Sequence, residues 1–266
     1  MMGLGPLRRP WGLWSWCAGV YVFLYLPMAV MMAFSFNNAR RNVVWKGFTF
    51  EWYRRLASNH EMLAAFLTSL ELAVSAALAS LALGVLASYV LVRHPPFRGR
   101  KAYTGFINVP MMLPEVVLGV GLLTFFVRAN IPLSFPTLVA AHVIFCLPYT
   151  TGAIRARLLS LRNANIEEAA MDLGATEWTA FRKVTLPLLR PALLSGGLLA
   201  FTMSFEDFVT SFFVAGIGVE TLPIRIYSMM KFGITPEVNA LATLLLLVTT
   251  ALLLGQHFLT REKGQR

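Results

Sequence analysis

The sequence predicts an all-α membrane protein with six transmembrane helices. The chain is 57% hydrophobic and only 14% charged over its 266 residues, whereas a soluble domain carries about a quarter charged residues. Its apolar residues are gathered in continuous runs, and about 20 apolar residues are enough to cross a bilayer as a helix. A membrane β-barrel would instead need short alternating segments. The predicted spans are 14–36, 62–92, 103–127, 135–154, 191–215 and 238–259.

The first half of the chain follows this plan in order. Arg8 and Arg9 precede an apolar run that is too long for a signal peptide, so this run is predicted as the first span. The outer loop after it is rich in aromatic residues, which suit the membrane–water interface, and a short surface helix is predicted around 50–57. Pro110 and Pro114 should break or kink the third span, because proline removes a helical hydrogen bond. The whole chain, 1–266, is predicted to form a single transmembrane domain.

The net charge of +10 has a membrane explanation rather than a nucleic-acid one. Most of the 23 Lys and Arg residues lie in the N-terminal segment, the loops after the second and fourth spans, and the C-terminal tail. The positive-inside rule then places both termini in the cytoplasm, as an even number of spans requires. The first outer loop is an exception, and its basic residues are Arg40, Arg41, Lys46, Arg54 and Arg55.

Neither enzymatic nor metal chemistry is indicated by the motifs. The chain has no G-K-[ST] phosphate loop, no H-E-x-x-H zinc motif and no G-x-S-x-G nucleophile elbow. Its histidines, His60, His94, His142 and His257, are scattered without metal-ligand spacing. We therefore expect a non-catalytic chain with no cofactor and no metal of its own. Active transport would draw its energy from another subunit or from an ion gradient.

Acidic residues inside the predicted spans are the main candidate functional groups, because a charge within the bilayer is costly. In a continuous fifth-span helix, Glu206 lies on one face with two threonines. Asp207 lies on the adjacent face with Ser204 and Ser211. This polar stripe is either a structural pair satisfied by neighbouring hydroxyls or by an arginine, or a wet path for a cation. The cost of unpaired carboxylates favours the path.

Two further residues are candidates for the same path. Glu115 follows Pro114 directly, and a half-helix beginning there would stabilise the carboxylate through its dipole. The alternative is that Glu115 lies nearer the interface and is solvated. Trp45 in the first outer loop could stack on a cationic ligand, although an interfacial anchor is the commoner use. Glu71 is predicted to reach the outer surface by snorkelling.

The segment 157–190 is a polar loop between two apolar runs, and its spacing is specific. It contains Glu168-Ala169-Ala170-x3-Gly174-x9-Val184-x-Leu186-Pro187. We expect two short helices, with Asn165 capping the first, Glu168 at its third position, and Thr176 capping the second. Gly174 should provide a left-handed turn between them, and Pro187 should end the second helix. A compact helical hairpin on a membrane protein is suited to docking.

This spacing resembles the EAA loop of ABC-importer permease subunits, written E-A-A-x3-G-x9-I-x-L-P, with Val184 in place of isoleucine. The resemblance implies a type I ABC-importer permease (MetI-like) fold, in which the loop couples the membrane helices to a cytoplasmic ATPase. The coupling residues that it implies are Glu168, Ala169, Ala170, Gly174, Leu186 and Pro187.

Several further blocks are similar to the second permease subunit of spermidine/putrescine importers. They are Trp45-x-Gly47-Phe48-Thr49-x-x-Trp52-Tyr53, His142-x-x-Phe145-Cys146-Leu147-Pro148, Phe201-Thr202-x-Ser204-x-Glu206-Asp207, Leu222-Pro223-x-x-Ile226-Tyr227-Ser228-Met229 and Gly233-x-x-Pro236-Glu237-x-Asn239-Ala240-Leu241-Ala242-Thr243. Functional positions of that family match Trp45, Glu115, Glu168, Ser204, Glu206 and Asp207. Aspartate is expected at the positions of Glu115 and Glu206, and both changes keep the charge and lengthen the reach.

The resemblance implies a heteromeric importer in the bacterial inner membrane. This chain would pair with a homologous permease subunit, an ATPase homodimer would bind ATP and magnesium on the cytoplasmic face, and a periplasmic binding protein would deliver the polyamine. Three alternatives remain. They are the same fold with an opine, an aminophosphonate or a ferric ion as cargo, an ion-coupled secondary transporter with Glu206 and Asp207 as its proton relay, and a scaffold subunit of another membrane complex. The lack of a detectable internal repeat argues mildly against the secondary transporter.

Overall fold

The predicted all-α class is confirmed by a computed structural model, which describes residues 11–39, 44–162, 165–231, 233 and 235–261. Its α-helices are α1 (Trp11–Phe34), α2 (Glu51–Ser58), α3 (His60–Arg93), α4 (Arg100–Met112), α5 (Glu115–Arg128), α6 (Phe135–Arg162), α7 (Ile166–Asp172), α8 (Glu177–Ala180), α9 (Leu186–Glu206), α10 (Val209–Val214), α11 (Leu222–Lys231) and α12 (Pro236–Arg261). A π-helical segment, Phe181–Thr185, joins α8 to α9. An antiparallel bridge between Asn37 and Phe48 is the β-structure found in these ranges.

Within the described residues, four helices are long and apolar enough to cross a membrane: Trp11–Phe34, His60–Arg93, Phe135–Leu161 and Glu177–Glu206. The α4–α5 pair passes the same test jointly but is bent by 114° at its break. Counted as one span, it brings the number to five. Within the same residues, the apolar stretch of α12 is shorter, Pro236–Ala251. The described residues therefore contain four or five such apolar helices, and the count of six spans stays a prediction.

The third predicted span is broken where its second proline lies. Helix α4 contains Pro110 and ends at Met112, Leu113 is extended, and α5 begins at Glu115 after Pro114. A proline disfavours helical geometry in the residue before it and has no N–H of its own. The chain therefore turns sharply between Leu113 and Pro114, and the predicted break is confirmed.

The fifth predicted span, 191–215, is wrong as a single helix. Helix α9 ends at Glu206, and Asp207 has the extended angles φ −66° and ψ 119°. A separate helix, α10, then begins at Val209. This break contains neither glycine nor proline, so local sequence gave no signal for it. The polar stripe predicted along one continuous helix is therefore divided between two elements.

The start of the fifth span also differs from the prediction, because Pro187 does not end a helix. It lies in the first turn of α9, within a helix that continues from Glu177 to Glu206 over 30 residues. The π segment makes this possible: the N–H of Leu186 bonds the carbonyl of Phe181, five residues back. A π turn of this kind accommodates an irregularity that would end an α-helix.

Internal contacts divide the chain into two compact units, 1–59 with 228–247 and 60–227 with 248–266. The single domain over 1–266 stays a prediction. In the second unit, α3, α6 and α9 pack together through small side chains, as membrane helices commonly do. The face that α3 buries includes Ala73, Ala76, Ala77, Ser80, Gly84, Ala87 and Ser88. The hydroxyl of Ser88 donates to the carbonyl of Thr151 at 3.0 Å, which ties α3 to α6.

The corner after α10 is held by a close backbone approach. A Cβ on Gly216 would lie 2.2 Å from the carbonyl oxygen of Leu133. Only glycine permits this contact, which fixes the end of α10 against the loop between α5 and α6. The same region has a buried apolar cluster formed by Leu72, Phe126, Leu138, Ala141 and Val214.

The first unit contains an outer loop organised around Asn37, a fully buried polar residue. Its side-chain amide donates to the carbonyl of Val44 at 2.9 Å and accepts from the N–H of Lys46 at 2.9 Å. The indole N–H of Trp52 donates to the Asn37 carbonyl at 2.8 Å. These bonds fold the loop back onto the end of α1. The predicted surface helix near 50–57 is present as α2 (Glu51–Ser58).

Candidate functional site

Three of the predicted acidic residues line a single cavity of about 320 Å³ in the second unit. Its lining consists of Glu115, Phe145, Met203, Glu206, Asp207, Phe208 and Val209. Glu115 comes from the break between α4 and α5, and Glu206 and Asp207 come from the break between α9 and α10. Interrupted helices within a membrane normally face protein or a water-filled cavity. Two such breaks therefore bring carboxylates from distant parts of the sequence to one place.

Glu115 and Glu206 are the exposed members of this group. Glu115 lies in the first turn of the 14-residue helix α5, where unpaired N–H groups and the helix dipole favour a negative charge. Glu206 ends α9, and one of its carboxylate oxygens accepts a hydrogen bond from the hydroxyl of Thr249 at 2.9 Å. Both carboxylates keep a free side on which a cation could bind.

Asp207 has different surroundings, because its side chain is only 3% exposed. Its carboxylate accepts from the backbone N–H of Thr210 at 3.2 Å and from that of Ser211 at 2.8 Å. It therefore caps the start of α10. Asp207 thus has a structural role, although backbone N–H groups are its partners rather than the neighbouring hydroxyls or the arginine suggested by the sequence, and it also borders the cavity.

Ser204 is buried and does not face the cavity. Its hydroxyl lies 2.8 Å from Nδ1 of His142, a residue with no exposed surface. The other ring nitrogen of His142, Nε2, lies 3.1 Å from the Ser211 hydroxyl and 3.4 Å from the Asp207 carboxylate. The sequence analysis missed His142 as part of the site. A signal was available, since a histidine in an otherwise uncharged span requires polar partners.

The threonine face predicted beside Glu206 does not form. Thr202 turns its hydroxyl to the carbonyl of Leu198 in its own helix, at 2.9 Å. Thr210 lies beyond the break, in α10, and is completely buried. The polar groups around Glu206 are instead the carboxylates of Glu115 and Asp207, which line the same cavity, and the hydroxyl of Thr249.

Trp45 belongs to the first unit and is 47% exposed. Its ring meets the ring of Phe34 edge to face, with 6.1 Å between the centroids. The bond from Lys46 to the side chain of Asn37 fixes the adjacent backbone. These contacts hold Trp45 in place and leave about half of its surface exposed. Its contribution to a cation path stays a prediction.

The predicted helical hairpin in the 157–190 loop is present as α7 and α8. Gly174 has φ +89° at the turn, and the Thr176 hydroxyl accepts the N–H of Thr179 at 3.3 Å. The capping box at the first helix is wrong, because Asn165 has φ 46° and its side chain makes no capping bond. Asparagine tolerates this left-handed conformation. In this conformation the Asn165 side chain makes no hydrogen bond to the first N–H groups of α7.

A residue outside the predicted set anchors this loop. Glu167 is buried, and its carboxylate forms an ion pair with Nε of Arg93 at 2.9 Å. The hydroxyl of Thr185 donates to the other carboxylate oxygen. The clasp Arg93–Glu167–Thr185 thereby joins the end of α3, the start of α7 and the π segment. Since Arg93 is distant in sequence, local patterns could not identify it.

The outer surface of the loop presents apolar side chains to solvent. Leu173 is 91% exposed and Trp178 is 67% exposed. Glu168, Ala169 and Gly174 are exposed as well, whereas Ala170, Leu186 and Pro187 are half-buried. Large apolar side chains exposed on a short rigid element are typical of an interaction surface.

Comparison with known proteins identifies the family. Residues 80–263, more than half of the chain, match the family described as the binding-protein-dependent transport system inner membrane component. This chain belongs to that family. The permease is 44% identical over 245 residues to the spermidine/putrescine transport system permease protein PotC of Haemophilus influenzae, covering 92% of this chain and 95% of the relative.

Two relatives from Escherichia coli K12 are similarly close to the permease. Its spermidine/putrescine permease protein PotC is 40% identical, covering 92% of each chain. Its putrescine transport system permease protein PotI is 41% identical, covering 92% of this chain and 89% of the relative. The resemblance inferred from the sequence blocks is thus confirmed across nearly the whole permease.

Solved structures confirm the fold of the permease. A bacterial ABC transporter involved in the import of alginate matches with a TM-score of 0.70 at 16% identity, covering 94% of this chain and 96% of that one. The methionine ABC transporter MetNI, in an inward-facing conformation, matches with a TM-score of 0.63 at 17% identity, covering 77% of this chain and 98% of that one. These identities are low, so the two structures support the architecture alone.

Proposed function

We propose that this permease forms half of the path by which an ATP-driven importer carries spermidine or putrescine across the bacterial inner membrane. One structural observation carries the proposal: carboxylates from two separate helix breaks line one cavity. The names of the close relatives supply the substrate class. Polyamines are flexible chains with several ammonium groups, and a cavity bordered by Glu115, Glu206 and Asp207 offers complementary charge.

The surroundings of these carboxylates suit passage better than tight binding. Glu206 and Glu115 are exposed, so an ammonium group would bind them without full loss of water. An ion pair in such a position is weak. A transport path requires sites that are favourable enough to enter and weak enough to leave. Asp207, whose carboxylate accepts two backbone N–H groups, would contribute a fixed carboxylate to the same cavity wall.

We propose a six-span topology with both termini in the cytoplasm. The four long apolar helices, the bent α4–α5 pair and α12 supply the spans, and the loop 157–190 then lies on the cytoplasmic side. The distribution of Lys and Arg supports this orientation. No cofactor is proposed for this chain itself.

The partners that we propose are a homologous permease subunit, an ATPase homodimer that binds ATP and magnesium, and a periplasmic binding protein. The exposed Leu173 and Trp178 support docking of the 157–190 loop into a partner. Helix α1 buries none of its residues within the chain. Its apolar surface is therefore available to lipid and to a second permease subunit.

The proposed mechanism depends on the helix that runs without a gap from Glu177 to Glu206. At about 1.5 Å per residue such a helix is roughly 45 Å long, which is enough to cross the membrane. Its first residues belong to the proposed ATPase contact, and its last residue borders the acidic cavity. Closure of the ATPases would displace α8, and α9 would carry that displacement to Glu206.

Uptake by the reconstituted complex tests the proposed function. The permease, its partner subunits and the binding protein would be assembled in proteoliposomes with ATP inside, and uptake of labelled spermidine and putrescine would be measured. We expect saturable, ATP-dependent uptake that other polyamines inhibit and that an opine, an aminophosphonate or ferric ion does not. Inhibition by one of the latter, or uptake driven by an ion gradient without ATP, would contradict the proposal.

A further inference from the structure

His142 is the polar residue that connects the two sides of the α9–α10 break. It lies in α6 and has no exposed surface. Its Nδ1 is 2.8 Å from the hydroxyl of Ser204 in α9, and its Nε2 is 3.1 Å from the hydroxyl of Ser211 in α10. One imidazole ring therefore holds the last turn of one helix and the first turn of the next.

For a neutral ring, one assignment of protons fits all of these contacts. The Asp207 carboxylate, 3.4 Å from Nε2, can only accept, so Nε2 carries the ring proton and donates towards Asp207 and Ser211. Nδ1 is then the acceptor, and the hydroxyl of Ser204 donates to it. In this arrangement Nδ1 accepts the hydrogen bond of Ser204, and the Nε2–H group points towards Asp207 in the α9–α10 break.

The position of Asp207 depends on few other groups. Its carboxylate accepts two backbone N–H groups of α10, and these bonds fix it relative to α10 alone. Neither bond fixes α10 relative to α6 or α9. Apolar packing of Val214 against Leu138 and Ala141 joins the end of α10 to α6, and the contacts of His142 add the polar connection at the start of α10, next to Asp207, which lines the acidic cavity.

We propose that His142 is a positioning residue for the acidic cavity: through Nε2 it orients Asp207 and the start of α10, and through Nδ1 it holds the end of α9 that presents Glu206. This inference rests on the proposed function, because it assigns His142 to the binding of the transported cation. His142 does not contact the cargo in this role. A change there should therefore alter affinity through the geometry of the two carboxylates.

A buried histidine can also be a simple packing residue, and the two amide replacements separate these roles. Asparagine in place of His142 can reproduce the contact of Nδ1 with Ser204 and cannot reach the position of Nε2. Glutamine is longer and can place its amide near the position of Nε2. A packing role predicts similar effects for both replacements, since both remove part of the ring.

The test compares His142→Asn and His142→Gln in the assembled complex. KM and kcat for spermidine uptake, basal ATP hydrolysis and the thermal midpoint would be measured for each. Ser88→Ala is the matched control, because it removes a buried α3–α6 hydrogen bond whose donor does not line the acidic cavity. We expect His142→Asn to raise KM roughly fivefold, because the hydrogen bond from Nε2 to Ser211 and the approach of Nε2 to Asp207 are lost, while kcat changes little.

The remaining variants are expected to behave differently from His142→Asn. His142→Gln should keep KM within about twofold of the unaltered complex, and Ser88→Ala should lower the thermal midpoint without changing KM. Equal KM in His142→Asn and the unaltered complex would overturn the inference, as would equal losses in the two His142 variants. Absence of polyamine uptake by the unaltered complex would instead overturn the proposed function, on which the inference depends.

Discussion

Glu206 and Asp207 are adjacent in sequence and have opposite surroundings. Glu206 is exposed at the end of α9 and has one hydroxyl partner. Asp207 is buried and accepts two backbone N–H groups at the start of α10. A charge that is solvated can bind a passing cation at little cost, whereas a charge that is fully hydrogen-bonded stabilises the fold. The pair thus combines an exposed carboxylate with a buried, fixed one.

This contrast leads to a prediction for the two charge-removing substitutions. Glu206→Gln should reduce polyamine uptake with little change in the thermal midpoint, because the amide retains the Thr249 contact. Asp207→Asn should lower both polyamine uptake and the thermal midpoint. The asparagine NH2 group would face a backbone N–H of α10 and leave it unsatisfied, which costs about 1–3 kcal/mol of stability. Uptake kinetics and thermal unfolding of the same preparations would check both expectations. A stable, fully active Asp207→Asn complex would contradict the capping role.

Residues with local signals were the ones that the sequence could identify. Pro114 predicted the break before Glu115 because proline disfavours helical geometry in the residue before it. Gly174 predicted a left-handed turn, and the structure has φ +89° there. Asp207 was identified as important, but its capping role was not, since no glycine or proline marks that break. His142 carried a signal, as a histidine in an otherwise uncharged span, but its partners and the Arg93 partner of Glu167 lie in other helices and could not be named. Pairing between distant residues is a tertiary property that a single sequence does not contain.

At the scale of the elements, the 157–190 loop depends on one backbone conformation. Gly174 connects α7 to α8 with φ +89°, and a Cβ placed there would have no atom within 4 Å. A larger side chain would therefore act through backbone strain rather than through a clash. This separates the conformational effect of a substitution from its steric effect.

The second prediction compares Gly174→Val with Gly174→Asn. A β-branched residue at positive φ costs roughly 1–2 kcal/mol, whereas asparagine tolerates this region. We expect Gly174→Val to lose co-purification with the ATPase and to lose uptake, with the membrane helices still inserted, and Gly174→Asn to retain both. Normal uptake by the valine variant would rule out a docking role for this turn.

The third prediction concerns the clasp Arg93–Glu167–Thr185. Glu167→Gln keeps an acceptor for Thr185 but removes the charge that pairs with Arg93. We therefore expect the free energy of unfolding to fall by about 1–3 kcal/mol. We also expect less polyamine to be transported per ATP hydrolysed. Glu51→Gln is the matched control, because its pair with Arg55 is exposed and such pairs contribute at most about 1 kcal/mol. Equal thermal midpoints for the two variants would argue against the clasp.

At the scale of the whole molecule, the proposed topology places α2 and the 157–190 loop on opposite sides of the membrane. Ser58 at the end of α2 and Leu173 beside Gly174 are both exposed. Cys17 is exposed and Cys146 is buried, so replacing Cys17 by alanine removes the main background thiol. Single cysteines at positions 58 and 173 can then report the orientation.

The fourth prediction is that Ser58→Cys reacts with an impermeant thiol reagent in intact cells, whereas Leu173→Cys reacts only after the membrane is permeabilised. In the assembled complex, the ATPase should slow labelling of Leu173→Cys and leave Ser58→Cys unaffected. The reverse pattern would contradict the cytoplasmic position of both termini. Unchanged labelling of Leu173→Cys in the complex would instead contradict docking at this loop.

The π segment Phe181–Thr185 sets the angular phase between the two helices that it joins. Its turn holds one residue more than an α-helical turn, and each residue of an α-helix advances the chain by about 100° and 1.5 Å. Deleting the exposed Lys183 would therefore convert the π turn into a regular α-helical turn and keep the angular relation of α8 and α9, whereas deleting one residue from the regular part of α9 would rotate its two ends by about 100° against each other. Substitutions along this rod change single contacts. A change in length within α9 changes the direction in which its far end faces, so α9 should tolerate replacements far better than insertions or deletions, and the π segment should be the place where one residue can be lost.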